Sequence, residues 1–441
     1  MRRAATSLAV VLTALVTCAA SAPARPTQKG PAQKGPAQKG AAQKGAAQKS
    51  AAQKSAAPAP PTLPVTGASL MVAGSDTPLW SFRGNAELPI ASTTKMMTAL
   101  VVLQHVSNLN TVFTQNDWDA ASADSQIGLI PGERMTVHDL LVALLLPSAD
   151  DAAEDLAYNV GGGSVARFVA MMNADAGMLG LHHTHYSTPI GLDTPSNYSS
   201  PDDLVRLGDY MMREWPFFRR TVGLASTTLT SGRYVRHIVN TDDLVARYPW
   251  IRGIKTGHTL DAGYVLVSEG RRAGLTLIAS VLGTTSEDER DASALALLNW
   301  GFSEFRVIRP VRAGEAFARR SVPYETAPAL VVAEHGYRTV LARSERVRVV
   351  VGRLRKLSGP MAKGTVVGHL TVLVHGRRAV RIPLVLARRL PAVSFLTKAE
   401  HLIKRPFTLL VLALLLGGVA VAVVGRRRRP RVLATGHLEE R

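Results

Sequence analysis

Leu88-Pro-Ile-Ala-Ser92-Thr-Thr-Lys95-Met-Met-Thr-Ala-Leu-Val-Val-Leu103 places a serine three residues before a lysine at the mouth of an apolar run. The run after Lys95 has the length and composition of a buried helix, and residues i and i+3 share a helix face. The lysine amine therefore lies beside the serine hydroxyl. A serine hydroxyl is a weak nucleophile until a neighbouring base takes its proton, and a lysine whose pKa is lowered by burial and nearby cations is such a base. Amide groups at the helix start add a field that favours developing negative charge. Ser-x-x-Lys alone is also the pattern of a helix cap with a solvated lysine, so the assignment rests on what accompanies it.

The chain of 441 residues has room for two domains and tails, and a 46% hydrophobic content provides a sizeable core. The single cysteine, Cys18, falls in an amino-terminal leader, which excludes a disulfide framework and a cysteine metal site in the mature chain. The formal charge of +19 is unevenly spread. Residues 62–305 carry 16 Lys and Arg against 26 Asp and Glu, a net of −10, whereas 306–390 carry 18 against 4, a net of +14. With the export pattern described next, the expected partner of the basic region is an anionic envelope polymer or lipid headgroup, and not nucleic acid.

Arg2 and Arg3, the apolar run Leu8–Val16 and the small residues Ala19–Ala22 follow the plan of a secretory signal peptide, assigned to 1–24. Residues 25–61 repeat Pro-Ala-Gln-Lys-Gly, drifting to Ala-Ala-Gln-Lys-Ser, and carry no large apolar residue until the closing prolines. Burial cannot offset their ordering entropy, so a flexible basic linker is expected. Residues 62–305 read as an α+β domain: a hairpin between Thr66 and Phe82, the Ser92 helix, helices over 136–146, 148–159 and 164–178, and a capped helix opening at Ser200-Pro201. Strands follow over 254–259, 262–268 and 275–283, then a helix through Trp300. Residues 306–390 read as a small basic β-rich domain and 391–406 as a juxtamembrane linker. Residues 407–424 form an apolar stretch just long enough to cross a bilayer, and 425–441 a basic cytoplasmic tail. The arginines after the stretch predict a single-pass protein of the bacterial cell membrane with its amino-terminal bulk outside.

Two further motifs stand in order behind the first. Leu-Leu-Leu-Pro-Ser148-Ala-Asp150-Asp sets a serine at a loop-to-helix junction, and Gly-Ile-Lys255-Thr256-Gly257-His258-Thr sets a Lys-Thr-Gly triplet on a strand. The sequence resembles the low-molecular-mass penicillin-binding proteins, the serine D-alanyl-D-alanine carboxypeptidases, from about 62 to 390. The resemblance extends to Pro-Ile-Gly-Leu-Asp-Thr-Pro-Ser-Asn-Tyr-Ser-Ser at 189–200, to Ala-Gly-Tyr at 262–264, and to the layout of a β-rich module and a carboxy-terminal anchor. It implies the penicillin-binding and serine β-lactamase-like fold, an antiparallel sheet with a helical region, and hydrolysis of the terminal D-alanine of peptidoglycan stem pentapeptides through an acyl-enzyme on Ser92. It also implies covalent inhibition by β-lactams and no cofactor. In the implied roles Lys95 takes the serine proton, while Ser148 and Lys255 relay protons and supply positive charge. The amides of Ser92 and His258 form the oxyanion hole, Gly257 belongs to the Lys-Thr-Gly strand, and Thr256 with Arg290, ten residues before Trp300, holds the substrate carboxylate.

The family's second motif reads Ser-x-Asn, whereas here Asp150 stands in the third place. Asparagine can accept from a lysine and also donate to the substrate's acyl carbonyl; an ionised aspartate only accepts. Asp150 either pairs with Lys95, raising its pKa and making it a poorer base, or is neutral at low pH and donates. Two alternatives accompany the carboxypeptidase expectation. One is a β-lactamase, although neither Glu154 nor Glu214 has the Glu-x-x-x-Asn setting of that class. The other is a catalytically weakened wall-binding homologue. His182, His183 and His185 cluster without a carboxylate or cysteine at ligand spacing, and no metal is assigned to them.

Overall fold

The computed structural model describes residues 59–116, 125–374, 376–403 and 406–427. The signal peptide, nearly all of the repeat linker and most of the basic tail lie outside the described residues. Five antiparallel strands form the central sheet: β1 (Gly67–Val72), β2 (Pro78–Phe82), β3 (Ile251–Thr259), β4 (Gly263–Arg272) and β5 (Leu275–Thr284), in the order β2-β1-β5-β4-β3. The register Gly67↔Leu282 through Val72↔Leu277 pairs the first strand with the last, across some 200 residues of intervening chain. Both faces of the sheet are covered, which explains why β5 reads as a nearly continuous apolar run.

Helix α5 (Pro201–Glu214) lies on one face. Ser200 Oγ accepts from the Asp203 amide at 3.2 Å, Pro201 occupies the first turn, and Asp202 and Asp203 suit the positive end of the helix dipole. Helix α6 (Glu287–Glu304) covers the other face, with Ser286 as cap and Glu287, Asp288 and Glu289 in its first turn. A helical region inserted between β2 and β3 holds α1 (Lys95–His105), α2 (Val137–Leu145), α3 (Asp150–Val160) and α4 (Val165–Met178). Helix α1 is its hub, with Met96, Met97, Ala99, Leu100, Val101 and Val102 fully or almost fully buried. Thr136 caps α2 and Ser164 caps α4, as their side chains suggest. The helix expected from Ser148 begins instead at Asp150, because Ser148 takes φ 65° and Ala149 is extended.

The basic region forms a second five-stranded antiparallel sheet from β6 (Ala316–Arg320), β7 (Ala329–Ala333), β8 (Val347–Val351), β9 (Val366–Val374) and β10 (Arg377–Leu386), ordered β6-β7-β10-β9-β8. It encloses its own core of Val331, Leu370, Val372, Ile382 and Leu384. A separate ribbon, Phe305–Val311 paired with Tyr337–Ala342, packs Phe305, Val307 and Val340 against the sheet core of the first domain. The boundary expected at 305/306 therefore falls at the start of a strand shared by both regions. The linker expected over 391–406 contains a helix, α7 (Phe395–Ile403), because Ser394 Oγ accepts from the Leu396 amide at 3.1 Å and opens its first turn. The apolar stretch at 407–424 folds within α8 (Pro406–Arg427), where Leu410, Leu412, Leu414 and Val421 are exposed. Among the described residues no helix is long and apolar enough to cross a membrane. The fold gives the stretch its helix, not its setting.

One buried ion pair ties the helical region to the hairpin at 226–239. Arg236 donates from Nη1 to Glu133 Oε1 at 2.8 Å and from Nη2 to Oε2 at 2.9 Å, and Nε donates to Ile127 O. Burial works against the Glu133 charge, but the Arg236 guanidinium and the Arg233 and Ile130 amides hold its pKa below the usual value. Glu133→Ala leaves Arg236 buried without its partner, and we expect a loss of about 3 kcal/mol in denaturant unfolding. A change within experimental error would show that the pair carries no load.

Candidate active site

Ser92 sits in a single turn of 3₁₀ helix, Ala91–Thr94, that runs into α1. Ala91 has φ 47° and Ser148 has φ 65°, left-handed values that cost about 1 kcal/mol or more for a residue with a side chain. Both strained residues flank or form the polar cluster. Lys95 is completely buried, and its Nζ donates to Ser92 Oγ at 2.8 Å, Asp150 Oδ1 at 2.5 Å and Ile190 O at 2.9 Å. An ammonium has three N–H groups, and these three acceptors match them. Asp150 Oδ2 accepts from the Ser125 amide at 3.2 Å. With both oxygens accepting, Asp150 is the ion-pair partner of Lys95, the first of the two states open to it from sequence.

Ser148 Oγ is buried and has no hydrogen-bond partner among the described residues, two positions before Asp150 at the head of α3. Lys255 is also buried, and its Nζ donates to Thr256 O at 3.1 Å. Burial lowers its pKa well below the ordinary value; the Lys95 charge adds to this and the Asp150 charge opposes it. The strand carrying Lys255 closes against the nucleophile at Gly257, where a Cβ would stand 2.9 Å from the Ser92 amide nitrogen and 3.0 Å from Ala91 Cβ. A side chain here would force the strand away from the nucleophile turn, so glycine permits the approach. The His258 ring stacks on Tyr264 with centroids 4.1 Å apart.

Thr256 Oγ1 lies 2.6 Å from Thr241 Oγ1. Arg290, at the first turns of α6, is 3% exposed and is oriented by Asp291 and Glu287, each at 2.8 Å. Ser92, Lys95 and Asp150 thus form one hydrogen-bonded cluster, Ser148 lies two positions before Asp150, and Lys255 is near enough to feel the charges of Lys95, Asp150 and Arg290. Sequence reasoning did not single out Thr241, Asp242 or the carbonyl of Ile190, since a main-chain acceptor and a short Asn-Thr-Asp-Asp run carry no motif. Glu154, set aside earlier as a deacylating base, is a buried carboxyl one turn after Asp150; burial and the Asp150 charge push its pKa up to about 7, against the pull of Lys95. His185 Nδ1 pairs with Ser196 O, and His183 lies 3.6 Å from Glu87. Among the described residues no group of three or more His, Cys, Asp or Glu side chains is placed to hold a metal ion.

The profile of peptidase S11, described as D-alanyl-D-alanine carboxypeptidase, matches residues 55–286. The chain belongs to this family. As a D-alanyl-D-alanine carboxypeptidase of the low-molecular-mass penicillin-binding group, it is a serine-type peptidase. It is 36% identical over 259 residues to the D-alanyl-D-alanine carboxypeptidase of Streptomyces sp. strain K15, covering 55% of this chain and 89% of the relative. With DacA of Escherichia coli K12 it is 30% identical over 331 residues, covering 72% and 81%. Among solved structures, penicillin binding protein 5 from Haemophilus influenzae superimposes with TM-score 0.59 at 26% identity, covering 76% of this chain and 99% of that one. The Streptomyces K15 DD-transpeptidase gives 0.53 at 36%, covering 55% and 99%. The β-lactamase and wall-binding alternatives are not favoured by these likenesses.

The close approach at Gly257 generates a test. In Gly257→Ala the strand must move away from Ser92, and we expect acylation by labelled penicillin to slow at least about 100-fold, the effect of losing one oxyanion donor. An unchanged acylation rate would remove Gly257 from the account.

Proposed function

We propose that Ser92 Oγ attacks the carbonyl between the last two residues of a peptidoglycan stem peptide ending in D-Ala-D-Ala. The serine proton passes to Lys95 in its neutral form, the tetrahedral oxyanion rests on the Ser92 and His258 amides, and the carbon–nitrogen bond breaks as Ser148 and Lys255 return a proton to the leaving amine. Water then cleaves the ester and frees Ser92. Thr256 and Arg290 receive the terminal carboxylate, for which the guanidinium fork is suited. The observation that supports this most is the buried contact of Lys95 Nζ with Ser92 Oγ at 2.8 Å. β-Lactams present a comparable acyl group to the same serine and are expected to leave it acylated.

Asp150 modifies the chemistry. Its contact with Lys95 favours the ammonium, which cannot accept the serine proton, and its oxygens have no hydrogen to offer the acyl carbonyl. The enzyme is therefore active but slowed at neutral pH, and its rate climbs as the ammonium is lost at higher pH.

The setting we infer is the outer face of a bacterial membrane, with 407–424 as a single anchor between Lys404-Arg405 and Arg426–Arg429. Exposed apolar side chains along α8 support that inference. In the second sheet, Arg348 faces Leu373, which pairs with Arg378, and Arg381 pairs with Thr371 one step along. These arginines suit an anionic lipid or wall polymer more than a specific small ligand.

Release of D-alanine from diacetyl-L-Lys-D-Ala-D-Ala between pH 6 and 9 tests the scheme. Ser92→Ala should release none above background. Asp150→Asn should be several-fold faster than the native chain at pH 7 and should begin its climb at lower pH, because Lys95 loses the charge that favours its ammonium. Identical profiles would reject the role given to Asp150.

A further inference from the structure

Asp242 follows the residue that ties its turn to the Lys-Thr-Gly strand. Its neighbour Thr241 meets Thr256 at 2.6 Å, and Asn240 frames the turn by accepting from the Asp242 amide at 2.9 Å and donating to Val222 O and Leu224 O. Asp242 is 1% exposed, and neither carboxyl oxygen has a hydrogen-bond partner among the described residues. The Leu244 amide approaches without reaching hydrogen-bond geometry. A buried ionised carboxylate without hydrogen bonds is costly, so this arrangement calls for an explanation.

The charged groups around it supply one. Arg290 and Asp291 face Asp242 from α6, Lys255 from β3 and Asp243 from its own turn, while Arg247 of the following helical turn engages Asp243 and Asp291. Of the three basic side chains in this set, Arg290 is the one expected to receive the substrate's carboxylate. Burial pushes the Asp242 pKa up, Arg290 pulls it down, and the charges of Asp291 and Asp243 raise it again, to about 7.

We propose that Asp242 is a positioning residue for the substrate's terminal carboxylate. As an uncharged carboxyl it leaves the charge of Arg290 to the substrate; as a carboxylate it competes for that charge. It makes no hydrogen bond to Ser92, Lys95 or Lys255 among the described residues, so its titration reaches the substrate through the charges beside it. The proposal rests on the assignment of Thr256 and Arg290 to the carboxylate.

The test measures KM and kcat separately between pH 5.5 and 8.5 on diacetyl-L-Lys-D-Ala-D-Ala and on the same peptide ending in D-alaninamide, with the native enzyme and Asp242→Asn. For the native enzyme on the acid peptide, KM should rise several-fold as the pH passes about 7, while on the amide it should not. In Asp242→Asn the KM for the acid should stay low and flat across this range. A flat native KM, or the same rise in Asp242→Asn, overturns the proposal. Equal kcat/KM for acid and amide at every pH overturns the carboxylate assignment beneath it. If the variant does not fold, the native acid-to-amide KM ratio decides alone: it must climb through neutrality, and a constant ratio is contrary to the proposal.

Discussion

Lys95 is an ammonium with no exposure to solvent, and the architecture around it can be understood as the means of keeping it there. A buried cation must be paired and its donors satisfied, or several kcal/mol are lost. Three separate parts of the chain supply the acceptors: the turn before α1 gives Ser92 Oγ, the head of α3 gives Asp150 Oδ1, and the loop before α5 gives Ile190 O. The same loop is anchored by Thr98 Oγ1 donating to Pro189 O at 2.6 Å and by Asn197 Nδ2 donating to Thr94 Oγ1 at 3.2 Å. The nucleophile, its base and the second motif are consequently fixed by one charge.

A second cation, Lys255, lies close enough for each lysine to raise the cost of the other's charge. Asp150 is bonded to Lys95, and Asp242 feels the charges of Lys255 and Arg290. These buried groups act on one another, and their protonation states belong to the group more than to any member. In such a setting the exchange of an amide for a carboxylate at position 150 reaches beyond the local contact.

Much of this was legible in the sequence. The helix caps at Thr136, Ser164 and Ser200 were visible because a hydroxyl followed by a helix-forming run has one favourable use. The three motifs were visible because nucleophile, base and cation must be particular residue types. The pairing of β1 with β5 was not legible, since no local pattern specifies a partner some 200 residues away. The early break before α3 was hidden in the strained backbone of Ser148, and the helix at 395–403 within an expected linker depends on a serine cap in an otherwise weak stretch. Asp150 could be assigned to one of its two states only once Ser125 and Lys95 were seen on its two oxygens. Asp242 left no trace in sequence because its importance lies in what surrounds it.

Mass spectrometry of the intact protein and its peptides after exposure to a β-lactam tests the central claim most directly, that the Lys95 cluster makes Ser92 a nucleophile. The account predicts a gain of one β-lactam mass confined to the peptide containing Ser92, and none when Lys95 is replaced by alanine. An adduct on any other residue, or an unmodified Ser92 at saturating β-lactam, would contradict it.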